Sequence, residues 1–397
     1  MLRIGHRNLL GAIVSVGLTT AAVAVLTQPA HAQQSGSSNN NIPAQVVNSA
    51  VQSAVQAAIQ NAIDRIFDQR RRAAAAGRPL GFAGDPDYRE YDDIFNALGY
   101  SGKAKAVYTK APEPATARPS LTTALWGSGT GSYERVSSWG GGMLSTSSTS
   151  AITGLGGVDF TESNIGPNLA AVLVGALGGD TSARTSATLG VETKTTAPTA
   201  GGYLAYVVGD FSTDFSFTTN FIHSDTTGPA PASMLQTNYN YALDLNYRFG
   251  SETWFEPTGG ATYTKGVWGG AQKAMGFQDN DTVRLQAGAR AGTSIPTAYG
   301  IKLEPVLMGL VYSDVYFSGT AAPVAAAALP GTASNGDLGR LWEKADLKLN
   351  AIITQNFSAY IEGEIHHCSC GQNGGPTIGG TSYDTGYSGT LGLRYSW

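Results

Sequence analysis

Hydrophobic and polar residues alternate with a period of two from about residue 121 to the end of the chain. Such alternation indicates β-strands that present different chemistry on their two faces. Phe215 and Phe217, for example, alternate with Ser216 and Thr218. The pattern is clearest in segments 211–221, 239–248, 283–290, 346–353 and 387–397. It predicts an all-β domain over residues 121–397, with one apolar and one polar face.

Turn signals divide this region into about twelve strands, and single-chain barrels of the outer membrane use even strand numbers. The Gly- and Ala-rich segment 149–180 gives the weakest strand signal, so about ten or about fourteen strands remain open. The strands are predicted near 121–135, 149–162, 168–180, 199–209, 211–224, 236–249, 252–266, 282–295, 299–317, 341–353, 356–366 and 382–397.

The polar face carries too much charge for the dry core of a soluble sandwich. A membrane barrel satisfies both faces, because its strands turn polar residues to a wet lumen and apolar residues to lipid. The charges would form mutual salt bridges or line an ion path, and the sequence leaves both open. The residues expected to line the lumen are Asp244, Arg248, Glu256, Arg284, Arg290, Lys302, Glu304, Lys344, Asp346, Lys348, Glu362, Glu364 and Arg394.

The connections favour a transmembrane antiparallel β-barrel, in which short turns lie at one end and long loops at the other. An unpaired sheet edge cannot be satisfied in hydrocarbon, so the sheet is expected to close. Short turns are expected near 209–210, 250–251, 296–297 and 355–356, and long loops near 181–198, 225–236, 267–280, 318–340 and 367–381. The residues expected to form interfacial girdles are Trp126, Tyr133, Trp254, Trp268, Tyr299, Tyr312 and Trp342.

The N-terminus has the features of an export signal. Arg3 and Arg7 precede an apolar stretch, and Ala30-His31-Ala32 fits a small-x-small cleavage site, so residues 1–32 are expected to be removed. Residues 33–120 hold a polar linker, one helix signal and a Pro-punctuated connector. No later segment has the roughly 18 consecutive apolar residues that indicate a spanning helix.

A single long helix is predicted over residues 44–70, where apolar residues come in pairs every four positions. That spacing exceeds one helical turn by about 40°, so the stripe winds around the helix. A helix lying flat on a membrane would want a fixed face opposite Lys or Arg, whereas here Gln, Asn and Ser lie opposite. We therefore expect the helix inside the barrel, with Arg65–Arg72 at the periplasmic mouth. Self-association outside the membrane is the alternative.

The composition excludes several other classes of protein. The net charge is −4 and becomes more negative once the two signal arginines are removed, which argues against a nucleic-acid partner. The two cysteines are too few for a disulfide scaffold. No cofactor is expected.

Two histidine-containing segments are candidate sites. In His366-His367-Cys368-Ser369-Cys370, adjacent side chains of an extended chain point in opposite directions, which suits a single metal poorly. His223 with Asp225 is a possible acid–base pair, but no nucleophile lies beside it in sequence. We therefore expect neither a metal site nor an enzyme.

The C-terminal strand carries the most specific motif. Thr390, Gly392, Tyr395 and Trp397 follow the spacing polar-x-Gly-x-x-aromatic-x-aromatic and end on the last residue. This resembles the signal by which outer-membrane barrels are recognised and inserted. The resemblance implies outer-membrane lipid and the barrel assembly machinery as partners, with the outer membrane of a Gram-negative bacterium as location.

Residues 121–397 also resemble the translocator domain of the autotransporters of type V secretion. Segments 124–133 and 202–211 look like first and mid-barrel strands of that family, and a helix precedes the barrel as it does there. The resemblance implies a pore of about twelve strands. The family normally carries a large repetitive passenger, in whose place only residues 33–120 stand here.

Three functions are compatible with these observations. An autotransporter-type pore leads, and a helix-plugged lumen would favour it. An open lumen would favour a porin-like channel for small solutes. Ordered, aromatic-rich loops would favour a surface protein that binds a partner through its extracellular loops. The sequence gives neither the ligand nor the oligomeric state.

Overall fold

The chain forms a closed antiparallel barrel of twelve long strands with one long helix before them. The computed structural model describes residues 42–75, 120–140, 143–165, 170–187, 190–228, 232–274, 277–297, 300–319, 341–368 and 383–397. The expected signal peptide over 1–32 and most of the connector before the barrel lie outside these residues. No helix among the described residues is long and apolar enough to cross a membrane.

Each of the twelve predicted strands overlaps one observed strand, and two-residue segments continue β6 at Phe249–Gly250 and β8 at Ile295–Pro296. The strands are β1 (Ser120–Gly140), β2 (Met143–Ile165), β3 (Ala170–Ala187), β4 (Val191–Val208), β5 (Phe211–Thr227), β6 (Ala232–Tyr247), β7 (Thr253–Trp268), β8 (Asn280–Thr293), β9 (Lys302–Ser318), β10 (Trp342–Ile352), β11 (Phe357–Cys368) and β12 (Tyr383–Ser396).

Every strand pairs with its neighbours in the chain, and the first pairs with the last. The β1–β12 register runs without a break from Ala124 opposite Ser396 to Ser137 opposite Tyr383. The backbone amide of Trp397 also donates to the carbonyl of Thr123 at 2.9 Å. The sheet therefore has no open edge, as a sheet in hydrocarbon requires.

The predicted alternation of faces is confirmed. Phe215 is 42% exposed on the outside, whereas Ser216 is 7% exposed and faces the lumen. At the C-terminus Tyr395 and Trp397 lie outside, and Arg394 lies inside. The outer surface differs around the barrel. Aromatic residues cover much of β5–β7, whereas glycines dominate the middle of β1–β3: Gly127, Gly129, Gly131, Gly154, Gly156 and Gly178.

The predicted aromatic girdle is mostly wrong. Of its described members only Tyr133 faces outward, at 44% exposed. The even-numbered positions of the strands concerned face the lumen, so the remaining side chains point inward. Two of the indole rings lie against glycines of the next strand, where a side chain would collide with the ring. The inward-facing residues are Trp126, Trp254, Trp268, Tyr312 and Trp342, and Tyr299 lies outside the described residues.

The short turns lie where they were predicted, at one end of the barrel together with the chain's final residue. Three long loops also match, since they join β7 to β8, β9 to β10 and β11 to β12. The long loops expected over 181–198 and 225–236 are wrong, because β3, β4 and β5 continue through most of those residues. Paired hydroxyl side chains join these strand ends, such as Thr195 and Ser224 at 2.9 Å.

Helix α1 (Ile42–Ala75) lies inside the barrel and extends beyond both predicted ends. Its middle is enclosed on all sides, and Ile59 and Ile63 are fully buried. The apolar residues of its winding stripe form one buried cluster with inner residues of β1–β5. The short α2 (Gly270–Ala274) lies in the loop between β7 and β8.

Candidate functional site

The lumen offers the helix two different walls. We call the inner surface of β1–β5 the apolar wall and the inner surface of β6–β11 the charged wall. Helix α1 makes its main backbone contacts with β1–β5. Its apolar side chains form one cluster with the inner residues Trp126, Ala151, Leu155, Ala171, Leu173, Leu177, Ala183, Ala197, Tyr203, Ala205, Val207 and Ile222. Small side chains on this wall leave room for the helix.

Glycines let two aromatic rings lie flat on the apolar wall. A Cβ at Gly157 would come within 2.6 Å of the Trp126 ring, and one at Gly175 within 2.1 Å of the Tyr203 ring. The Trp126 Nε1 donates to the Tyr203 hydroxyl at 2.7 Å, and that hydroxyl donates to Asp159 at 2.9 Å. Because Gly157 and Gly175 have no side chains, the two rings can lie flat against the wall and leave room for the helix.

Asp159 ends this chain of hydrogen bonds in a buried ion pair. The Arg394 guanidinium donates to both of its carboxylate oxygens, at 2.7 and 2.6 Å. Such a bidentate pair is among the stronger polar contacts in proteins. It connects β2 to β12 across the β1 seam, so it fixes the barrel next to its point of closure.

The charged wall holds the helix through a buried cluster. The Arg248 guanidinium donates to Asp64 of α1 at 2.5 Å and to Glu256 at 2.7 Å. Glu256 also accepts from Arg290 at 2.9 Å, and Arg290 lies 3.6 Å from Asp64. Two carboxylates and two guanidiniums therefore neutralise one another at a position with almost no solvent exposure.

A second cluster grips the last turns of the helix. The Lys302 ammonium contacts Asp68 and Glu304, and Arg71 donates to Glu304 at 2.6 Å. We call the two clusters together the latch: Asp64, Asp68 and Arg71 of α1 with Arg248, Glu256, Arg290, Lys302 and Glu304 of the barrel. Its residues are close to the short-turn end of the barrel.

Arginines in the same part of the helix also bind the short turns directly. Arg70 donates to the carbonyl of Gly209 at 2.9 Å, Arg71 donates to that of Ser251 at 2.9 Å, and Arg65 donates to that of Gln355. Burial raises the pKa of Asp210 in the first of these turns, although Arg70 opposes the rise. The prediction that the charged end of the helix lies at this mouth is confirmed.

The other half of the helix borders a cavity of about 140 Å³ next to the charged wall. Gln52 and Gln56 of α1 face it, opposite an apolar strip on β9 that includes Met308 and Leu310. Near the far end Asn220 donates to Asn48 of the helix at 2.7 Å. The helix therefore fills the apolar side of the lumen and leaves polar space on the other side.

All of the charged residues predicted to line the lumen do face it. Most of them form ion pairs with one another and are not exposed to open water. Lys344 and Glu364, for example, are 2.7 Å apart. Buried are Asp244, Arg248, Glu256, Arg290, Glu304, Asp346, Lys348, Glu364 and Arg394. Half-buried are Arg284, Lys302, Lys344 and Glu362.

The partners of several of these residues were missed. Asp159 lies in a Gly-rich segment, and Asp314 accepts two hydrogen bonds from Arg284 at 2.7 and 3.2 Å, beside a β-bulge. Asp64 and Asp68 of the helix were also not identified as partners of the barrel. Their spacing of four residues places both on one helical face, and that was the available signal.

The residues of the C-terminal motif lie on both sides of β12. Thr390 faces the lumen and shares a hydrogen bond of 2.9 Å with Thr130 on β1. Gly392 lies under the ring of Tyr360, where a Cβ would come within 2.2 Å. Tyr395 and Trp397 face outward at 50% and 57% exposed. The recognition of this strand during assembly remains a prediction.

The histidine segments form no catalytic arrangement among the described residues. His223 lies 3.0 Å from Asp225, which accepts a hydrogen bond from Ser233, so the carboxylate separates the hydroxyl from the imidazole. His366 contacts Glu364 and His367 contacts Thr385 on a different face. Cys368 is in a disulfide, and Cys370 lies outside the described residues.

Three carboxylates on β10 and β11 approach one another within 4.8 Å: Asp346, Glu362 and Glu364. Two lysines occupy the spaces that a cation would need. Lys344 lies 2.7 Å from Glu364 and 3.6 Å from Asp346, and Lys348 lies 3.8 Å from Glu362. This group is an ion-pair network of the charged wall.

Comparison with known proteins identifies the architecture. Residues 125–364 match the autotransporter β-domain family. The fold is similar to the β domain of the Bordetella autotransporter BrkA, with 15% identity, a TM-score of 0.50, and coverage of 69% of this chain and 99% of that one. No curated protein sequence matches the chain.

Two further solved structures are similar to the chain at lower scores. The transport unit of the autotransporter AIDA-I from Escherichia coli has 13% identity and a TM-score of 0.47, with coverage of 79% of this chain and 100% of that one. The translocator domain of NalP from Neisseria meningitidis has 12% identity and a TM-score of 0.41, with coverage of 83% and 97%.

Proposed function

Because the chain belongs to the autotransporter β-domain family, we propose that its barrel carries the segment before α1 to the cell exterior and is then closed by that helix. The protein is an integral β-barrel of the Gram-negative outer membrane, of translocator type. The identity of the transported segment is the part of this function that we propose. The part that we propose to be exported is the segment that precedes Ile42.

The direction of the helix carries this proposal. Its C-terminal turns bind the short turns through Arg70 and Arg71. Its N-terminal half points the other way, where Asn48 contacts Asn220 toward the long-loop end of β5. Long loops face the exterior in outer-membrane barrels. In this orientation the N-terminal end of α1, at Ile42, faces the exterior. Its C-terminal end faces the periplasm, at the end of the barrel where β1 begins.

Closure is supported by the fit of the helix in the lumen. Ile59 and Ile63 are fully buried against the apolar wall, and Asp64 is buried in the latch on the opposite side. A helix held on both sides blocks the passage of large solutes. The fit of the helix therefore favours a plugged translocator over a porin-like channel, which requires an open lumen.

Surface accessibility of a tag would test the direction of transport. An epitope inserted after Ser37 should be labelled by antibody on intact cells, because the proposal places that segment outside. The same epitope inserted in the turn at Asn356 should be labelled only after the outer membrane is permeabilised. Labelling of both tags only after permeabilisation would contradict the proposal, provided that the barrel remains heat-modifiable.

Crosslinking would test closure. Gln56→Cys and Ser216→Cys both line the cavity and should form a disulfide under mild oxidation. Gln56→Cys combined with Phe215→Cys is the matched control, because Phe215 faces lipid and should not crosslink. The crosslinked barrel should show low single-channel conductance. A high, stable conductance of the crosslinked protein would show that the helix does not close the pore.

We infer that the chain acts by transport and carries out no catalysis. The family is one of barrels, and the arrangement of Ser233, Asp225 and His223 supports the inference because the imidazole is not next to the hydroxyl. A His223→Ala variant should keep normal surface display of the tag. Loss of surface display in a correctly assembled His223→Ala barrel would contradict this inference, because it would show that the imidazole has a functional role.

A further inference from the structure

A shallow groove lies on the outer wall of β6 and β7, toward the long-loop end. Tyr239, Tyr241, Tyr263 and Lys265 line it. Tyr239 is paired with Lys265 and Tyr241 with Tyr263 across the two strands. All four side chains lie on the surface that faces lipid, because odd-numbered residues of both strands point outward.

The length of β7 puts the groove near the outer edge of the hydrocarbon layer when Phe255 is placed at the inner edge. On β7 the outward-facing residues run from Phe255, at the short-turn end, to Lys265. A tilted strand crosses the layer in about 9–11 residues. If Phe255 is near the inner boundary, Lys265 lies among the headgroups of the outer leaflet. The adjacent loop is fixed there, since the Lys273 ammonium binds Asp279 at 2.8 Å.

Three donors in this groove lack a hydrogen-bonding partner among the described residues, although the Lys265 charge also interacts with the Asp279 carboxylate at longer range. Among the described residues, the Lys265 ammonium and the hydroxyls of Tyr239 and Tyr241 make no hydrogen bond or ion pair. Nearby polar groups are paired, as with the Tyr263 hydroxyl, which donates to Asp281 at 2.5 Å. Donors at the edge of hydrocarbon are costly unless something outside the protein accepts from them.

We propose that this groove binds the phosphate of an anionic glycolipid in the outer leaflet. A phosphate presents several oxygens and a negative charge, which match one ammonium and two hydroxyls. The apolar surface continues below the groove, where Phe217 packs against Tyr241 with ring centroids 5.0 Å apart and Leu243 is 45% exposed. Acyl chains of the same lipid fit that surface, whereas a free phosphate would leave it uncovered.

Native mass spectrometry of the full-length barrel in detergent would test this. The probes are a phosphorylated acyl-disaccharide, its dephosphorylated form and inorganic phosphate. The wild-type barrel should bind the phosphorylated lipid about tenfold more tightly than Lys265→Ala does, as expected for the loss of one charge-assisted hydrogen bond. The double variant Tyr239→Phe, Tyr241→Phe should show a smaller loss.

Lys194→Ala provides the matched control, because Lys194 is also an exposed lysine but lies beyond the apolar band on β4. This variant should bind like the wild type. Equal binding by the Lys265→Ala barrel, or equal binding of the dephosphorylated lipid, would overturn the proposal. Binding of inorganic phosphate as tight as that of the lipid would overturn the assignment to a lipid. Unchanged heat-modifiability of all variants ensures that folded barrels are compared.

Discussion

The apolar wall and the charged wall hold the same helix by different physics. On β1–β5 the contacts are apolar, spread over many small side chains, with Ile59 and Ile63 fully buried. On the charged wall the contacts are polar and directional, and the ion pairs among them converge on Asp64 and Asp68. Apolar contact is not directional and tolerates sliding, whereas an ion pair requires particular atoms to meet. The apolar wall therefore sets the side of the lumen on which the helix lies, and the latch sets its depth.

The largest effect should come from preventing closure, which would abolish both walls. Deletion of Trp397 removes an outward aromatic residue and the last backbone pair between β12 and β1. We expect no heat-modifiable barrel in the outer membrane and degradation of the chain in the periplasm. Trp397→Phe keeps both the aromatic ring and the backbone pair and should assemble normally. Normal levels of the deleted protein in the membrane would show that the terminal residue is dispensable.

The charged wall should be the more sensitive to a single change. Glu256→Gln leaves Arg248 and Arg290 buried with one carboxylate between them, and breaking such a buried network costs about 3–5 kcal/mol. The free energy of unfolding in lipid vesicles would measure this. Glu192→Gln is the control, because its pair with Arg184 is exposed. Similar losses for the two variants would mean that the buried network contributes little.

The apolar wall should respond in proportion to the volume removed. Ile59→Ala is expected to cost about 2–5 kcal/mol, as other large-to-small changes at buried positions do. Gln52→Ala on the cavity side of the same helix should cost less than about 0.5 kcal/mol. The frequency of open-channel events should rise for the first variant and stay constant for the second. Equal effects would contradict the assignment of the two helix faces.

The smallest effect is expected beyond the membrane, where β4 and β5 extend together. Thr195→Val removes the hydroxyl that pairs with Ser224 at 2.9 Å. Cross-strand pairs of this kind contribute about 0.2–1 kcal/mol. Thermal unfolding should therefore shift only slightly, and protease cleavage near residues 188–190 should increase. A loss as large as that of Ile59→Ala would mean that these extensions stabilise the apolar wall itself.

Alternation was enough to predict the strands and their faces. Phe215 and Ser216 were placed correctly because a period of two assigns every residue of a strand to one side. The same rule could have placed Trp126, which has the parity of the inward residues Ala124 and Thr130. The clustering of aromatic residues at strand ends gave the opposite prediction, because such residues often form lipid-facing girdles. Parity should override composition wherever the two conflict.

The contacts inside the lumen could not be read from the sequence. Arg394 and Asp159 are 235 residues apart and meet because barrel closure brings β12 next to β1 and β2. The depth of the helix is likewise set by which barrel residues Asp64 reaches. The sequence also does not indicate that the apolar strip on β9 faces the cavity. Met308 and Leu310 lie in a strand that is apolar on both faces, so alternation does not distinguish its two sides. Such contacts depend on the diameter and stagger of the barrel.

The position of the latch determines how the helix bears load. In the proposed orientation, a force on the segment before Ile42 pulls α1 along its axis, away from the short turns. The residues that bind the barrel lie in the last turns of the helix: Asp64, Asp68, Arg70 and Arg71. Their bonds run sideways from the helix to the barrel, so a force along the helix axis loads all of them in shear. Bonds arranged in parallel share a force and must break together, whereas bonds in series break one at a time. The chain is thus anchored most firmly at the end farthest from the applied tension.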